Sequence, residues 1–134
     1  MIRIFTPEQA SRTLPLVRRV VADILVRGRE LRRIAAEPAD ERADEQARAR
    51  FRQLREEVEE LMEELEGIGC HYKDLGFEQG LVDFPARIDG RMVFLCWKSD
   101  EPRVSWYHTI EDGYAGRVPI PDHMLAEESS PATG

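Results

Sequence analysis

The hydrophobic positions in the first half of the chain form two stripes that advance by alternating steps of three and four residues. The first stripe comprises Leu14, Val17, Val21, Ile24 and Gly28. The second comprises Ala47, Phe51, Leu54, Val58 and Leu61. This spacing places each stripe on one face of a helix. Paired from the inside out, the residue numbers of every pair add to 75, which predicts an antiparallel helical hairpin that folds back between residues 37 and 38.

Local signals place this hairpin within residues 7–67. Thr6 and Gln9 have the spacing of a capping box, and Pro7 suits the first helical position. Pro15 cannot donate a backbone hydrogen bond, so we expect a kink, or a break between two helices, near residues 12–14. We expect the second long helix to run from about Asp40 to Gly67, with Gly69 also able to form a left-handed turn.

The first long helix carries further apolar side chains outside its stripe, at Leu16, Val20, Leu25 and Val26. The second helix adds little beyond Met62. We therefore expect the first helix to be the inner one, in contact with more than its partner. Spare apolar surface on a rod longer than a small sheet also favours self-association of two copies as a dimer.

After Gly69 the pattern changes to the alternation of strands. Residues 81–88 and 91–98 flank Asp89-Gly90, which predicts a hairpin that pairs 82 with 97, 84 with 95 and 86 with 93. We expect a third strand over residues 104–110 and a short edge strand within 70–75. The predicted fold class is α+β: a long antiparallel helical hairpin followed by a small antiparallel meander sheet, residues 70–110, packed on the inner helix.

Three side chains of this sheet, Asp83, Cys96 and His108, have groups that bind transition metals such as zinc. Asp83 and Cys96 lie opposite each other in the predicted hairpin. Asp23, which interrupts an apolar run of the inner helix, is a further candidate metal ligand or acid-base partner for His108. The alternative is an exposed Asp23 paired with Arg19 or Arg27 at helical spacing.

The position of His108 depends on the register of the second hairpin. Pairing 97 with 106 places His108 on the apolar face, whereas pairing 96 with 106 brings it diagonally near Cys96 and Asp83. We favour the first register, because it adds four side chains to the apolar face: Val104, Trp106, His108 and Ile110. That register separates His108 from Cys96, and the alternative to a site is then an imidazole packed beside tryptophans.

A separate candidate is the segment Gly113, Gly116 and Arg117, which could bind an anion through backbone amides and a guanidinium. We favour a simpler role, in which Arg117 pairs with acidic side chains of the second helix. We expect residues 111–124 to form an extended segment that completes one domain over 1–124, and residues 125–134 to be disordered.

The amino-acid composition argues against some classes of binding partner. The formal charge of −7 argues against nucleic acid and anionic lipid. Residues 7–36 contain seven arginines and three acids, and residues 40–66 contain five arginines and eleven acids. In the 75-sum register, Arg18 and Arg19 are expected beside the glutamates at positions 56, 57, 59 and 60. Without a membrane span or a signal-peptide core, we expect a cytoplasmic protein in which Cys70 and Cys96 are thiols.

Several short motifs, which follow one another along about residues 2–120, resemble those of a known protein family. They include Phe5-Thr6-Pro7-Glu8, Leu14-Pro15-Leu16-Val17, Gly80-Leu81-Val82-Asp83-Phe84-Pro85-Ala86-Arg87, Leu95-Cys96-Trp97, Trp106-Tyr107-His108 and Gly113-Tyr114-Ala115-Gly116-Arg117. The chain resembles a bacterial and archaeal family, domain of unknown function 2203. The resemblance implies a conserved domain and no particular activity, substrate or cofactor.

Three classes of function follow from these observations. We favour a structural or interaction module that self-associates, or binds another protein, through its helical hairpin. The alternative is a metal- or small-ligand-binding domain that uses His108 with Asp83, Cys96 or Asp23. An enzyme comes third, because the chain has no serine elbow, phosphate loop or zinc-protease motif.

Overall fold

The helical half of the chain precedes the sheet. The computed structural model describes residues 2–42 and 44–129. Its helices are α1 (Pro7–Arg12), α2 (Leu14–Ala35), α3 (Ala39–Arg42), α4 (Glu45–Ile68) and α5 (Asp122–Ser129). Its strands are β1 (His71–Tyr72), β2 (Leu81–Ile88), β3 (Arg91–Lys98), β4 (Trp106–Thr109) and β5 (Val118–Pro119). A 3₁₀ turn, Tyr114–Gly116, precedes β5. The predicted α+β class is confirmed.

The start of the helical half follows its local signals. The Thr6 side chain accepts from the backbone N–H of Gln9, and the Gln9 side chain accepts from that of Thr6, which completes the capping box. α1 ends at Arg12 and α2 begins at Leu14, so the expected break between two helices is present. Thr13 closes α1 by donating its hydroxyl to the Ala10 carbonyl at 2.6 Å.

The hairpin of α2 and α4 is confirmed, but its predicted register is wrong by about one heptad. The 75-sum pairing places residue 48 opposite Arg27 and residue 45 opposite Glu30. Arg27 instead pairs with Glu57 at 3.1 Å, and Glu30 with Arg50 at 2.8 Å, nine and five residues further along α4. A heptad stripe matches itself after a shift of seven residues, so the pattern defines the buried face without defining the register.

α2 is the inner helix, since eight of its residues are buried, whereas only three residues of α4 are buried. Val20 and Leu25 are buried within the chain, whereas Leu16 and Val26 are 48% and 66% exposed. Arg18 does not meet the α4 glutamates as expected; it donates to the backbone carbonyls of Glu101 and Pro102. Within the described ranges, no helix has the length and apolar character needed to cross a membrane.

The sheet has the strand order β1-β2-β3-β4-β5, with every neighbouring pair antiparallel. The predicted first hairpin is confirmed, including the pairs 82 with 97, 84 with 95 and 86 with 93. Asp89 and Gly90 both have positive φ, 52° and 79°, as a tight primed turn requires. The expected edge strand is present as β1, over two residues.

The favoured register of the second hairpin is wrong. Cys96, not Trp97, lies opposite Trp106, and Phe94 lies opposite His108. Val104 is fully buried, but it precedes β4 and reaches the core from the loop. Its burial therefore does not indicate which side chains of β4 face the core. Ile110 follows β4 and is 60% exposed. Two of the four side chains that favoured the other register therefore lie outside the strand.

The end of the chain also differs from expectation. Residues 111–124 contain the 3₁₀ turn, β5 and the beginning of α5, where we expected an extended segment. Residues 125–129, for which we expected disorder, continue α5. Residues 130–134 of the predicted tail lie outside the described residues.

Candidate metal centre

The sheet has an inner face toward the helices and an outer face on the opposite side. Directly opposed residues of an antiparallel pair point to the same face. The inner face is apolar and includes Val82, Leu95 and Trp97, all fully buried. On the outer face, Asp83 of β2 lies opposite Cys96 of β3. The β3–β4 register adds His108, diagonal to Cys96.

These three outer-face side chains form a compact cluster. One ligand atom from each of Asp83, Cys96 and His108 can be chosen so that all lie within 4.8 Å of one another. Their residues are 4%, 1% and 5% exposed. In the described part of the chain, this is the one such group of three or more histidine, cysteine or acidic residues. Sequence reasoning named all three residues, but the favoured register would have separated His108 from the other two.

The hydrogen bonds of His108 define where its protons lie. Nδ1 is 2.8 Å from the Thr109 carbonyl oxygen, which can only accept, so Nδ1 carries a proton. Nε2 is 3.1 Å from each carboxylate oxygen of Asp83. A single proton therefore lies between Nε2 and that carboxylate. Metal-binding histidines show the same support, one nitrogen donating to a carbonyl while the other faces the ion.

Burial opposes ionisation of both acidic groups in the cluster. It raises the pKa of Asp83, and the neighbouring His108 partly offsets this by favouring the carboxylate. Burial, followed by the charge of Asp83, raises the pKa of Cys96 to about 11. Without a bound cation, Cys96 is therefore a neutral thiol near pH 7. A cation would reverse this preference, because it stabilises both anions.

Arg117 lies against the Cys96 side of the cluster. Its guanidinium lies 4.5 Å from the ring centroid of Trp106 and 5.0 Å from that of Tyr114. It forms a two-pronged ion pair with Glu101, with one Nη–Oε distance of 3.1 Å, and Nη1 is 4.0 Å from the Cys96 sulfur. Both members of the pair are largely buried, with 14% and 13% of their side chains exposed. The expected pairing with α4 acids is wrong, because Glu101 takes that role.

At the candidate anion site of Gly113, Gly116 and Arg117, the guanidinium is paired with a carboxylate of the protein itself. Glu101 already supplies two carboxylate oxygens to the guanidinium. Gly113 has a φ of 64°, a conformation that glycine adopts readily, and it starts the 3₁₀ turn that ends at Gly116. These glycines turn the chain so that Arg117 returns over the sheet.

Asp23 lies apart from the cluster. Its side chain is 60% exposed, and its carboxylate is 4.0 Å from Arg27 one turn along α2. This matches the alternative given above, an exposed acid at helical spacing from an arginine. Among the described residues, the cluster consists of Asp83, Cys96 and His108 and does not include Asp23.

Sequence reasoning missed a fourth side chain, of a type that can bind metal ions, beside the cluster. His71 of β1 lies directly opposite Asp83, on the outer face, and is exposed. His71 is the last and smallest of the neighbours that lower the pKa of Asp83 against the larger effect of burial. The signal available in the sequence was the alternation of Cys70, His71 and Tyr72, which places His71 on the face opposite to the two buried residues.

Together these features define a small α+β protein with a helical hairpin against one face of its sheet and a buried cluster of oxygen, nitrogen and sulfur donors on the other. Comparison with known families matches residues 3–120 to uncharacterized conserved proteins of the family DUF2203. The chain belongs to this family, as its motifs predicted. Searches of curated proteins and of solved structures find no match. The function must therefore be argued from the cluster.

Proposed function

We propose that this protein binds one divalent transition-metal ion through Asp83, Cys96 and His108. The observation that carries the proposal is the close approach of three different ligand types at a site that excludes water. Buried polar groups usually have hydrogen-bond partners that account for their burial. Asp83 and His108 satisfy each other through their hydrogen bonds. This pairing does not require the Cys96 thiol, yet the thiol lies at the same point.

Charge balance favours a divalent ion. Asp83 and ionised Cys96 together contribute two negative charges, and neutral His108 contributes none, so an ion of charge +2 makes the centre neutral. A neutral centre is the least costly to bury. Mixed sulfur, nitrogen and oxygen donors at tetrahedral sites are typical of zinc. We therefore propose zinc as the resident ion, with Arg117 and Trp106 on the Cys96 side of the site.

The test measures zinc binding by purified, chelator-treated protein. We expect one equivalent to bind and to raise the melting temperature. Asp83→Asn and His108→Gln should weaken binding by more than the roughly 10- to 100-fold that loss of a supporting hydrogen bond costs. Asp23→Asn and His123→Gln are matched controls outside the cluster and should bind as the original protein does. Stoichiometric binding that is unchanged in Asp83→Asn and His108→Gln would refute the site.

Self-association through the hairpin is a second proposal. Its specific support is an open apolar pocket of about 360 Å³ near the hairpin tip. The residues that line it are Ile34, Ala35, Ala47, Arg48, Phe51 and Arg52. Exposed Leu16 and Val26 on α2 add apolar surface, although Val20 and Leu25 are buried within one chain.

Light scattering tests this second proposal. We expect a dimer mass at micromolar concentration, shifting toward monomer when Phe51→Glu places a charge in the pocket. Arg55→Glu, on an exposed position of the same helix, is the control. A monomer mass for the original protein across a wide concentration range would refute it. Chelator should leave the mass unchanged, which separates this proposal from the metal centre.

A further inference from the structure

We propose that His71 is the fourth ligand of the metal centre and closes it against solvent. The inference rests on the metal-binding function proposed above and adds a residue from a fourth segment of the sheet. Four protein ligands without an open position are characteristic of structural rather than catalytic zinc sites. The proposal therefore assigns the ion a role in holding the sheet together.

The strand register brings His71 to the cluster. His71 lies opposite Asp83, and Asp83 lies opposite Cys96, so metal-binding side chains occupy three consecutive strands in one row. The Cβ atoms of directly opposed residues are about 4.5–5.5 Å apart. The residue on the other side of Cys96 in this row is Trp106, which offers no ligand atom. His71 is therefore the ligand-bearing neighbour available on the β1 side.

Among the described residues, no hydrogen bond or ion pair holds the imidazole of His71 in another role. The side chain is exposed, and within residues 2–42 and 44–129 neither ring nitrogen has a hydrogen-bond partner. By contrast, both nitrogens of His108 are engaged. In this structure His71 lies outside the group whose atoms are within 4.8 Å. Because the side chain is exposed, its rotation toward Asp83 would break no packing.

The chemistry of the four ligands is consistent with this role. A neutral His71 leaves the charge balance with a divalent ion unchanged, since only Asp83 and Cys96 are anionic. The three other ligands are buried on central strands, whereas His71 is on the edge strand β1. An ion would therefore meet His71 on entering from this edge, and His71 would then hold β1 to β2.

Cobalt(II) serves as a spectroscopic probe, because its visible bands report the number and type of ligands at a tetrahedral site. We compare the original protein with His71→Ala and with His123→Ala, a control on α5. We expect His71→Ala to lower cobalt and zinc affinity at least about 10-fold. We also expect its visible bands to change when thiocyanate is added, because the ligand position is then open. The original protein and His123→Ala should not respond to thiocyanate.

The possible results separate the two proposals. Unchanged affinity and spectrum in His71→Ala, with tight binding by the original protein, would overturn the role of His71 and leave the three-residue centre standing. A response of the original protein to thiocyanate would do the same, since it shows an open position. Absence of cobalt and zinc binding in the original protein would overturn both proposals.

Discussion

The inner and outer faces of the sheet both bury side chains, but they do so with different interactions. The inner face buries apolar side chains, among them Phe84 and Trp97, against the helical half. The outer face buries Asp83, Cys96 and His108, and Arg117 lies against Cys96 and near two aromatic rings. Apolar burial depends on area and shape, whereas polar burial depends on having every partner present. The two faces should therefore respond differently to mutation and to pH.

The largest effect is expected on the inner side of the hairpin. Ile24→Asp places a carboxylate at a fully buried position of α2, which should destabilise the protein by at least about 4 kcal/mol or prevent folding. Val26→Asp, two residues away and 66% exposed, is the control and should change stability by less than about 0.5 kcal/mol. Chemical unfolding followed by circular dichroism measures both. Equal effects would mean that α2 does not bury this face.

A smaller effect tests how closely the helix packs on the loop before β2. A Cβ at Gly28 would overlap the ring of Phe77, so Gly28→Ala should destabilise by about 1–3 kcal/mol. Gly67→Ala in α4 meets nothing within 4 Å and should stabilise by up to about 1 kcal/mol. Thermal melts of the two variants should therefore shift in opposite directions. A shift in the same direction would contradict this packing.

The smallest effect compares one buried thiol from each face. Burial raises the pKa of Cys70 to about 12 and that of Cys96 to about 11. Below about pH 8 both thiols are largely protonated in the folded and unfolded chains. Above pH 9 the unfolded thiols ionise first, so the free energy of unfolding should fall by up to about 1 kcal/mol per pH unit for each thiol.

Cys70→Ala and Cys96→Ala measure these two contributions separately, in the presence of chelator. Each substitution should make the decline in stability between pH 9 and 11 less steep than in the original protein. Curves that stay parallel to the original would show that the thiol ionises equally in both states. A loss of steepness in one variant alone would assign the pH response to that face.

Sequence reasoning predicted the elements whose local signals agree with one another. The capping box at Thr6 and Gln9, and the turn at Asp89 and Gly90, each combine a residue preference with the correct spacing. The first β hairpin was predicted to the residue because its short turn permits one register. Asp83 and Cys96 were placed together for the same reason.

Sequence reasoning failed where a connection is long or a pattern repeats. The helical stripes match equally well after a shift of one heptad, so α3 in the connection displaced the register without altering the buried face. The loop between β3 and β4 spans residues 99–105, and no tight turn fixes the pairing. His108 was therefore assigned to the wrong face, and the acidic partner of Arg117 could not be identified.

One residue of that loop joins the two faces of the sheet. The backbone carbonyl of Glu101 accepts from Arg18 of α2 and from the indole of Trp97, on the inner side. Its carboxylate meets Arg117, on the outer side. Arg18 and Arg117 both contact Glu101. The effects of substituting the two arginines on the free energy of unfolding should therefore not be additive. Glu101 thus connects the helical half to the donor cluster through its backbone carbonyl and its carboxylate.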